Sequence, residues 1–271
     1  MIPCTDERIM QKIGQAERLW LFLDYDGTLA DFAATPDEII PDEELITLID
    51  HLAGDPAIRL TILSGRRLAH IQSLVPVPGF LKAGSYGLEL QNADGEIIHR
   101  ADYDKIRPLL EDLKQQWGQL LSGRRGFYLE DKGWTLAIHG KDAAEADTNA
   151  VFPQARRLAN ALLEKAPGEV YRLQGGHRFL ECGPRIADKK QTVEHIVSAY
   201  PWHDNALLIY LGDDDKDEVA FAAIQEHGGM AVAVGDRLLD SAADCWLPSP
   251  QSARRWLQMI ANRMPGLEED L

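Results

Sequence analysis

Asp24 and Asp26 stand two residues apart directly after the apolar run Leu19-Trp20-Leu21-Phe22-Leu23, and Gly27 and Thr28 follow them. The run has the length and bulk of a buried strand, and Gly27 marks its turn. Both carboxylates therefore belong to the carboxyl end of a strand, where open α/β sheets hold their ligands. In a regular strand, side chains two apart point to the same side. Two like charges so placed repel unless a cation or a shared proton lies between them. An Asp-x-Asp-Gly turn without chemistry fits the same letters, so the pair takes its meaning from what accompanies it.

Three further groups fall at strand ends or helix starts. Ser64-Gly65-Arg66 follow the strand-like stretch beginning at Arg59. A hydroxyl and free N–H groups there suit a phosphate-like anion at a helix N-terminus, and they equally suit an ordinary N-cap. Lys189 opens a helix, where a cation is mildly unfavourable, and this gives it a functional reading that neighbouring Lys190 shares. Gly212-Asp213-Asp214-Asp215-Lys216-Asp217-Glu218 follow another apolar run, Ala206–Leu211. So many acids at a strand end suit Mg²⁺, which takes one or two carboxylates plus waters and substrate phosphate. A capped helix start accounts for Asp217 and Glu218 but not for Asp213 and Asp214.

The elements that must position these residues read as two patterns. Strand 19–24 leads through a loop containing Pro36 and Pro41 to a helix at about 42–52, then strand 59–64 and a helix near 67–74. Strand 80–84 precedes a hairpin of 87–91 and 96–99 about an Asn-Ala-Asp-Gly turn. From about residue 101 the pattern changes to helix (103–121), hairpin (126–130 and 134–139), helix (142–165) and hairpin (169–173 and 178–182, turning at Gly175-Gly176). Alternation resumes with a helix from Asp188, strand 206–211, a helix after Asp217, strand 230–234 and a last helix at 252–263. The expected fold is α/β: a Rossmann-like parallel-sheet core from residues 1–100 and 184–271, interrupted by an α+β insertion at 101–183.

Composition narrows the function. The chain has 271 residues, 45% of them hydrophobic, enough for one large core or two modest ones. Acidic residues outnumber basic ones 43 to 28, a formal charge of −15, which argues against nucleic acid or an anionic membrane as partner. A small anionic substrate remains compatible, since local cations and a metal outweigh the global charge. Cys4, Cys182 and Cys245 are odd in number, widely spaced and without a C-x-x-C. They suggest neither a disulfide framework nor a zinc knuckle, and a reducing cytoplasm is expected. Met1–Arg18 lack the apolar core of a secretory signal, and no apolar run is long enough to span a membrane.

Taken in order, Asp24-x-Asp26-Gly27-Thr28, Ser64, Lys189 and Gly212-Asp213-Asp214 resemble the motifs of the haloacid-dehalogenase-like phosphatase superfamily. The insertion resembles that superfamily's cap, which closes over the substrate. The resemblance implies two-step phosphoryl transfer: Asp24 attacks phosphorus and forms an aspartyl-phosphate, while Asp26 protonates the leaving hydroxyl and then activates water. It also implies Mg²⁺ held by Asp24, the backbone carbonyl of Asp26, Asp213 and Asp214. Ser64, Gly65, Lys189 and the amides near Gly27 and Thr28 would bind the phosphoryl group.

Within the superfamily the chain is most similar to the trehalose-6-phosphate phosphatases. Leu23–Leu29, Leu63–Arg66, Ala83–Glu89, Gly228–Met230 and the cap stretch Leu129–His139 carry that similarity. It implies sugar binding by Glu130, Lys132, His139 and Glu181. The chain departs from the pattern at Gly183, where E-x-K is usual, and at Lys216, where threonine is usual. It also departs at Ser85-Tyr86, usually a histidine-containing pair, and at Gly140-Lys141. The departures touch sugar selection more than the chemical step. The alternatives are a phosphatase for another glycosyl phosphate, such as glucosylglycerol-phosphate or a glycosyl-phosphoglycerate, and a non-catalytic regulatory module. A glycosyltransferase (synthase) is the candidate partner or fused neighbour, and the tail Glu268-Glu-Asp270 reads as a linker or a natural end.

Overall fold

The computed structural model of the chain describes residues 1–32, 40–166, 170–175, 178–202, 205–235 and 241–262. Pro36, Glu169, Gly176, Arg263 and the acidic tail at 268–270 lie outside the described residues. Contacts divide the chain into two units, Met1–Ile98 with Asp188–Leu271, and His99–Ala187.

The chain enters through β1 (Ile2–Pro3), α1 (Glu7–Gly14), β2 (Leu19–Leu23), α2 (Glu43–Gly54), β3 (Ile58–Leu63), α3 (Leu68–Leu74), β4 (Leu81–Gly84), β5 (Glu89–Gln91) and β6 (Ile97–His99). It passes through α4 (Tyr103–Leu121), β7 (Tyr128–Asp131), β8 (Leu136–His139), α5 (Glu145–Leu163), β9 (Tyr171–Gln174) and β10 (Phe179–Pro184). It returns with α6 (Lys189–Ala199), β11 (Leu207–Gly212), α7 (Glu218–Glu226), β12 (Met230–Val234), β13 (Cys245–Leu247) and α8 (Pro250–Ala261).

The first unit is built on a nine-stranded sheet ordered β1-β13-β12-β11-β2-β3-β4-β5-β6. Its strands run parallel from β1 to β4, and β5 turns back antiparallel. Every residue of β2 is buried, as an unbroken apolar run demands when helices cover both faces of a sheet. The alternation of side chains sends Leu19, Leu21 and Leu23 into one core, and Trp20 and Phe22 into the other. Each such burial contributes about 1.5–3 kcal/mol, which fixes β2 at the sheet's centre and with it the loop carrying Asp24. The second unit is a four-stranded antiparallel sheet, β7-β8-β10-β9. Leu136, Ile138, Leu180 and Cys182 of that sheet share a core with Ile106, Leu113 and Trp117 of α4 and with Phe152 and Ala155 of α5.

Sequence reading assigns no element to Met1–Arg18 or to Cys245–Leu247, and both contribute. The pairing of β1 with β13 sets Ile2 opposite Cys245. Cys4 and Cys245 are joined by a disulfide, their Cα atoms 5.0 Å apart. This corrects the expectation of unpaired cysteines: 241 residues of separation conceal a proximity that only sheet register creates. The cysteine argument for a reducing compartment falls with it. Cys182 is free and buried, and burial, with the charge of Glu181, pushes its thiol up to about 12. In denaturant a thiol reagent is expected to titrate one cysteine before reduction and three after it; three before reduction would refute the bridge. Among the described residues no helix is long and apolar enough to cross a membrane.

Candidate active site

β2 lies between β3 and β11, with Leu23 opposite both Ile62 and Leu211. The residues just beyond these strands, Asp24, Ser64 and Asp213, therefore emerge side by side at one edge of the sheet. Asp24 is held there by its own N–H, which donates to the Leu211 carbonyl at 3.0 Å.

Asp24, Thr28, Asp213, Asp217 and Lys189 are all buried. The Lys189 ammonium lies 3.0 Å from Asp24 Oδ1 and 2.5 Å from Asp217 Oδ1. The Thr28 hydroxyl sits 3.4 Å from Asp24 Oδ2 and 3.5 Å from Asp213 Oδ1, tying the two carboxylates together. Burial pushes the Asp24 carboxyl well up; Lys189 opposes this, and Asp217, Asp213 and Asp214 reinforce it. Burial pulls Lys189 down, but Asp217 and Asp24 together hold it well above the usual lysine range. Lys190 points elsewhere, pairing with Glu226 at 2.9 Å, so of the two candidate lysines Lys189 is the one in the cluster.

Asp217 is a residue that sequence reading missed, because its place before α7 matches a helix cap. Its side chain caps nothing. Oδ1 accepts from Lys189 and from the Tyr210 hydroxyl at 2.8 Å, while Oδ2 accepts from the N–H groups of Asp213 and Asp214 at 3.2 Å. Asp217 thus orients both the lysine and the acidic loop.

The donor set fits a hard divalent cation. Carboxylate oxygens of Asp24, Asp213 and Asp217 lie within 4.8 Å of one another, three buried acids against one buried ammonium, and such an excess is stable only if paired. Asp217 is saturated by its four donors, and Asp24 and Asp213 are the other two carboxylates of the group. Gly27 makes the approach feasible: its φ is +79°, and any Cβ there would run into the Asp213 carboxylate. Its N–H donates to the Ala30 carbonyl at 2.7 Å, so Gly27 contributes space more than a phosphate-binding amide. Asp214 accepts from the Lys216 N–H at 2.9 Å. Burial pushes its carboxyl up, but Lys189 and Lys216 outweigh that, and it rests below the usual range.

Asp26 does not join this cluster. β2 ends at Leu23 and Asp26 lies in an isolated bridge with Ala30, so the regular-strand geometry that would align the two aspartates does not extend to them. The Arg66 guanidinium grips Asp26 in a two-pronged pair at 2.7–3.0 Å. Each aspartate thus has its own cationic side chain, Lys189 for Asp24 and Arg66 for Asp26, where the sequence suggested a cation or a shared proton between the two. Ser64 is buried, and its hydroxyl oxygen accepts from the Arg66 N–H at 3.1 Å, leaving its proton to donate.

In the second unit, strand alternation gathers Glu130, His139 and Glu181 on the sheet face away from α4 and α5. His139 Nε2 is 2.7 Å from Glu130 Oε2, and Lys132 lies 3.0 Å from Glu181 and 3.7 Å from Glu130. All four residues singled out for sugar binding form one network. Thr135 at 3.0 Å and Gln174 at 2.8 Å also donate to Glu181, two members that sequence reading did not find. Gly183 stands against the Thr135 methyl with no room for a side chain. A lysine there is excluded, and Lys132 supplies the cation from the neighbouring hairpin.

Comparison with known proteins converges on one family. The trehalose-phosphatase family model matches residues 22–238. A probable trehalose-phosphate phosphatase of Sinorhizobium fredii is 28% identical over 244 residues, covering 89% of this chain and 87% of the relative. The trehalose-6-phosphate phosphatase of Escherichia coli is 27% identical over 258 residues, covering 94% and 91%. Among solved structures, the C-terminal domain of Candida albicans trehalose-6-phosphate phosphatase superimposes with a TM-score of 0.80 at 20% identity, covering 97% of this chain and 98% of that one.

Proposed function

Because this chain belongs to the trehalose-phosphatase family, enzymes that act on phosphate monoesters, we propose that it hydrolyses trehalose 6-phosphate to trehalose and inorganic phosphate, with Mg²⁺ as its cofactor. The observation that carries this reading is the buried Asp24 carboxylate, 3.0 Å from Lys189 and linked through the Thr28 hydroxyl to Asp213. A nucleophile needs an accessible lone pair beside groups that receive the charge of the transferring phosphoryl. Here Asp24 supplies the first, and Lys189 and the Ser64 hydroxyl supply the second.

An Asp24 oxygen forms the bond to phosphorus while the ester oxygen departs, taking a proton from Asp26. Water then attacks the aspartyl-phosphate and gives a proton back to Asp26, which frees Asp24 and phosphate. Asp26 meets the leaving oxygen only once it has left the Arg66 pair, because both of its carboxylate oxygens are engaged there. Asp24, Asp213 and Asp214 are the residues that would hold Mg²⁺, which neutralises the acidic cluster and lets a phosphate dianion approach a carboxylate. The intact set of Asp24, Lys189 and Asp213 weighs against a non-catalytic module.

A panel of sugar phosphates compared by kcat/KM tests the substrate. Trehalose 6-phosphate is expected to rank first; if glucosylglycerol-phosphate outranks it, the sugar is wrong while the chemistry stands. Sugar selection is assigned to Glu130, Lys132, His139 and Glu181, whose carboxylates accept from sugar hydroxyls and whose cations donate to them. Glu130→Ala or Glu181→Ala is expected to lower kcat/KM for the true sugar by about tenfold or more per charged hydrogen bond lost, and to leave a small aryl phosphate nearly unaffected. Equal losses on both substrates would remove that assignment.

A further inference from the structure

We infer that Lys216, held in place by Tyr86, is a phosphate-binding residue, a second ammonium that takes a phosphoryl oxygen of the substrate beside Lys189; this rests on the phosphatase reading above. Two departures from the family pattern, noted separately in the sequence, prove to be one contact. Lys216 Nζ donates to the Tyr86 hydroxyl at 3.1 Å and lies 5.5 Å from the ring centroid. A threonine at position 216 is too short to reach so far.

Tyr86 is a positioning residue, and its own placement is over-determined. Ser85 and Tyr86 have φ of +51° and +55°, and among the described residues they are the non-glycine residues with positive φ. Such a conformation persists only where the surroundings impose it. Here the Ser85 N–H donates to the Arg66 carbonyl at 2.6 Å and the Tyr86 N–H to the Ser64 carbonyl at 2.9 Å. The Thr192 hydroxyl, on the helix that Lys189 opens, donates to the Tyr86 carbonyl at 2.8 Å. The turn lays the phenol against Gly65 so closely that a Cβ there would collide with Cζ and the hydroxyl oxygen. The hydroxyl that anchors Lys216 therefore borders the Ser64–Gly65 turn.

The Lys216 N–H is meanwhile bonded to Asp214. Its side chain thus leads from the acidic loop to the phosphate turn, half-buried and within reach of a ligand from solvent. The chemistry calls for such a group. Asp24, Asp213, Asp214 and Asp217 crowd an entering phosphate dianion, and a second ammonium lowers that repulsion.

The test uses the full chain with Mg²⁺ and inorganic phosphate as probe. Lys216→Met is expected to weaken phosphate binding, read by calorimetry, about tenfold. KM for an aryl phosphate should rise by a similar factor, with kcat changing by no more than about twofold. Tyr86→Phe keeps the ring and removes the anchor; it should give the same split at about threefold, and add little to Lys216→Met because the two share one interaction. Unchanged phosphate affinity in Lys216→Met overturns the inference. So does a fall in kcat at constant KM, which would mean that Lys216 acts only through Asp214. If the parent chain turns over no phosphate ester, the phosphatase reading fails by itself, and the calorimetric comparison still decides the role of Lys216.

Discussion

Asp24→Asn is expected to lower kcat on every phosphate ester by about 10⁴-fold or more, because an amide oxygen cannot displace the leaving group to form an acyl-phosphate. EDTA should suppress the parent enzyme to a comparable floor and excess Mg²⁺ restore it, whereas neither should move the variant. The fold should survive. Burial already pushes the Asp24 carboxyl up and three neighbouring acids reinforce that, so removing its charge relieves repulsion. The variant's melting temperature without metal is expected to equal or exceed the parent's. Turnover within tenfold of the parent would exclude Asp24 as the nucleophile.

Lys189→Met should do the opposite to stability while also abolishing turnover. It leaves Asp24 and Asp217 buried without the ammonium that lies 3.0 and 2.5 Å away. Stranding buried charge in this way costs about 3–5 kcal/mol, a fall of roughly 10 °C in melting temperature for a chain of this size. Saturating Mg²⁺ should recover part of the loss by neutralising the same acids. The lysine's folded-state pKa is raised, so its stabilisation is complete below the ordinary lysine value and fades only as pH climbs through the raised one. The lysine's own contribution therefore holds from pH 6 to 9, whereas Asp24 and Asp217, pushed up by burial and no longer held down by the ammonium, take up protons as pH falls, so the variant's deficit should shrink toward the acid end. A variant as stable as the parent without metal would show that Lys189 is not what balances the cluster.

The parallel core, the inserted antiparallel hairpins and the loops bearing Asp24, Ser64 and Asp213 were legible because each strand is a short apolar run ending in polar turn residues. Four things were not. Asp217 hides behind a spacing that a helix cap shares, and only its contacts with Lys189, Tyr210 and two amides distinguish it. The parting of Asp24 from Asp26 depends on β2 ending at Leu23, one residue short of the expected strand 19–24, so the strand's alternation stops before either aspartate. The Cys4–Cys245 bridge depends on a two-residue and a three-residue strand, too short for any periodicity to register. The sugar-side residues were reached through family resemblance, and Thr135 and Gln174 escaped because a lone hydroxyl beside a strand or a lone amide within one carries no pattern.

The neighbours of β2 are β3, made at once, and β11, made much later. A ribosome that has just released Asp24 must add about 165 residues before Lys189 exists, roughly 10–30 s at ordinary translation speeds. Through that interval the central strand has one open edge, and its terminal aspartate has no ammonium to face. The inserted hairpins, which are local in sequence, can fold during the wait and shorten the loop that β11 must close. The buried cluster is thus among the last features that this polypeptide completes at birth, and a chain stalled before residue 189 carries Asp24 without the ammonium that faces it.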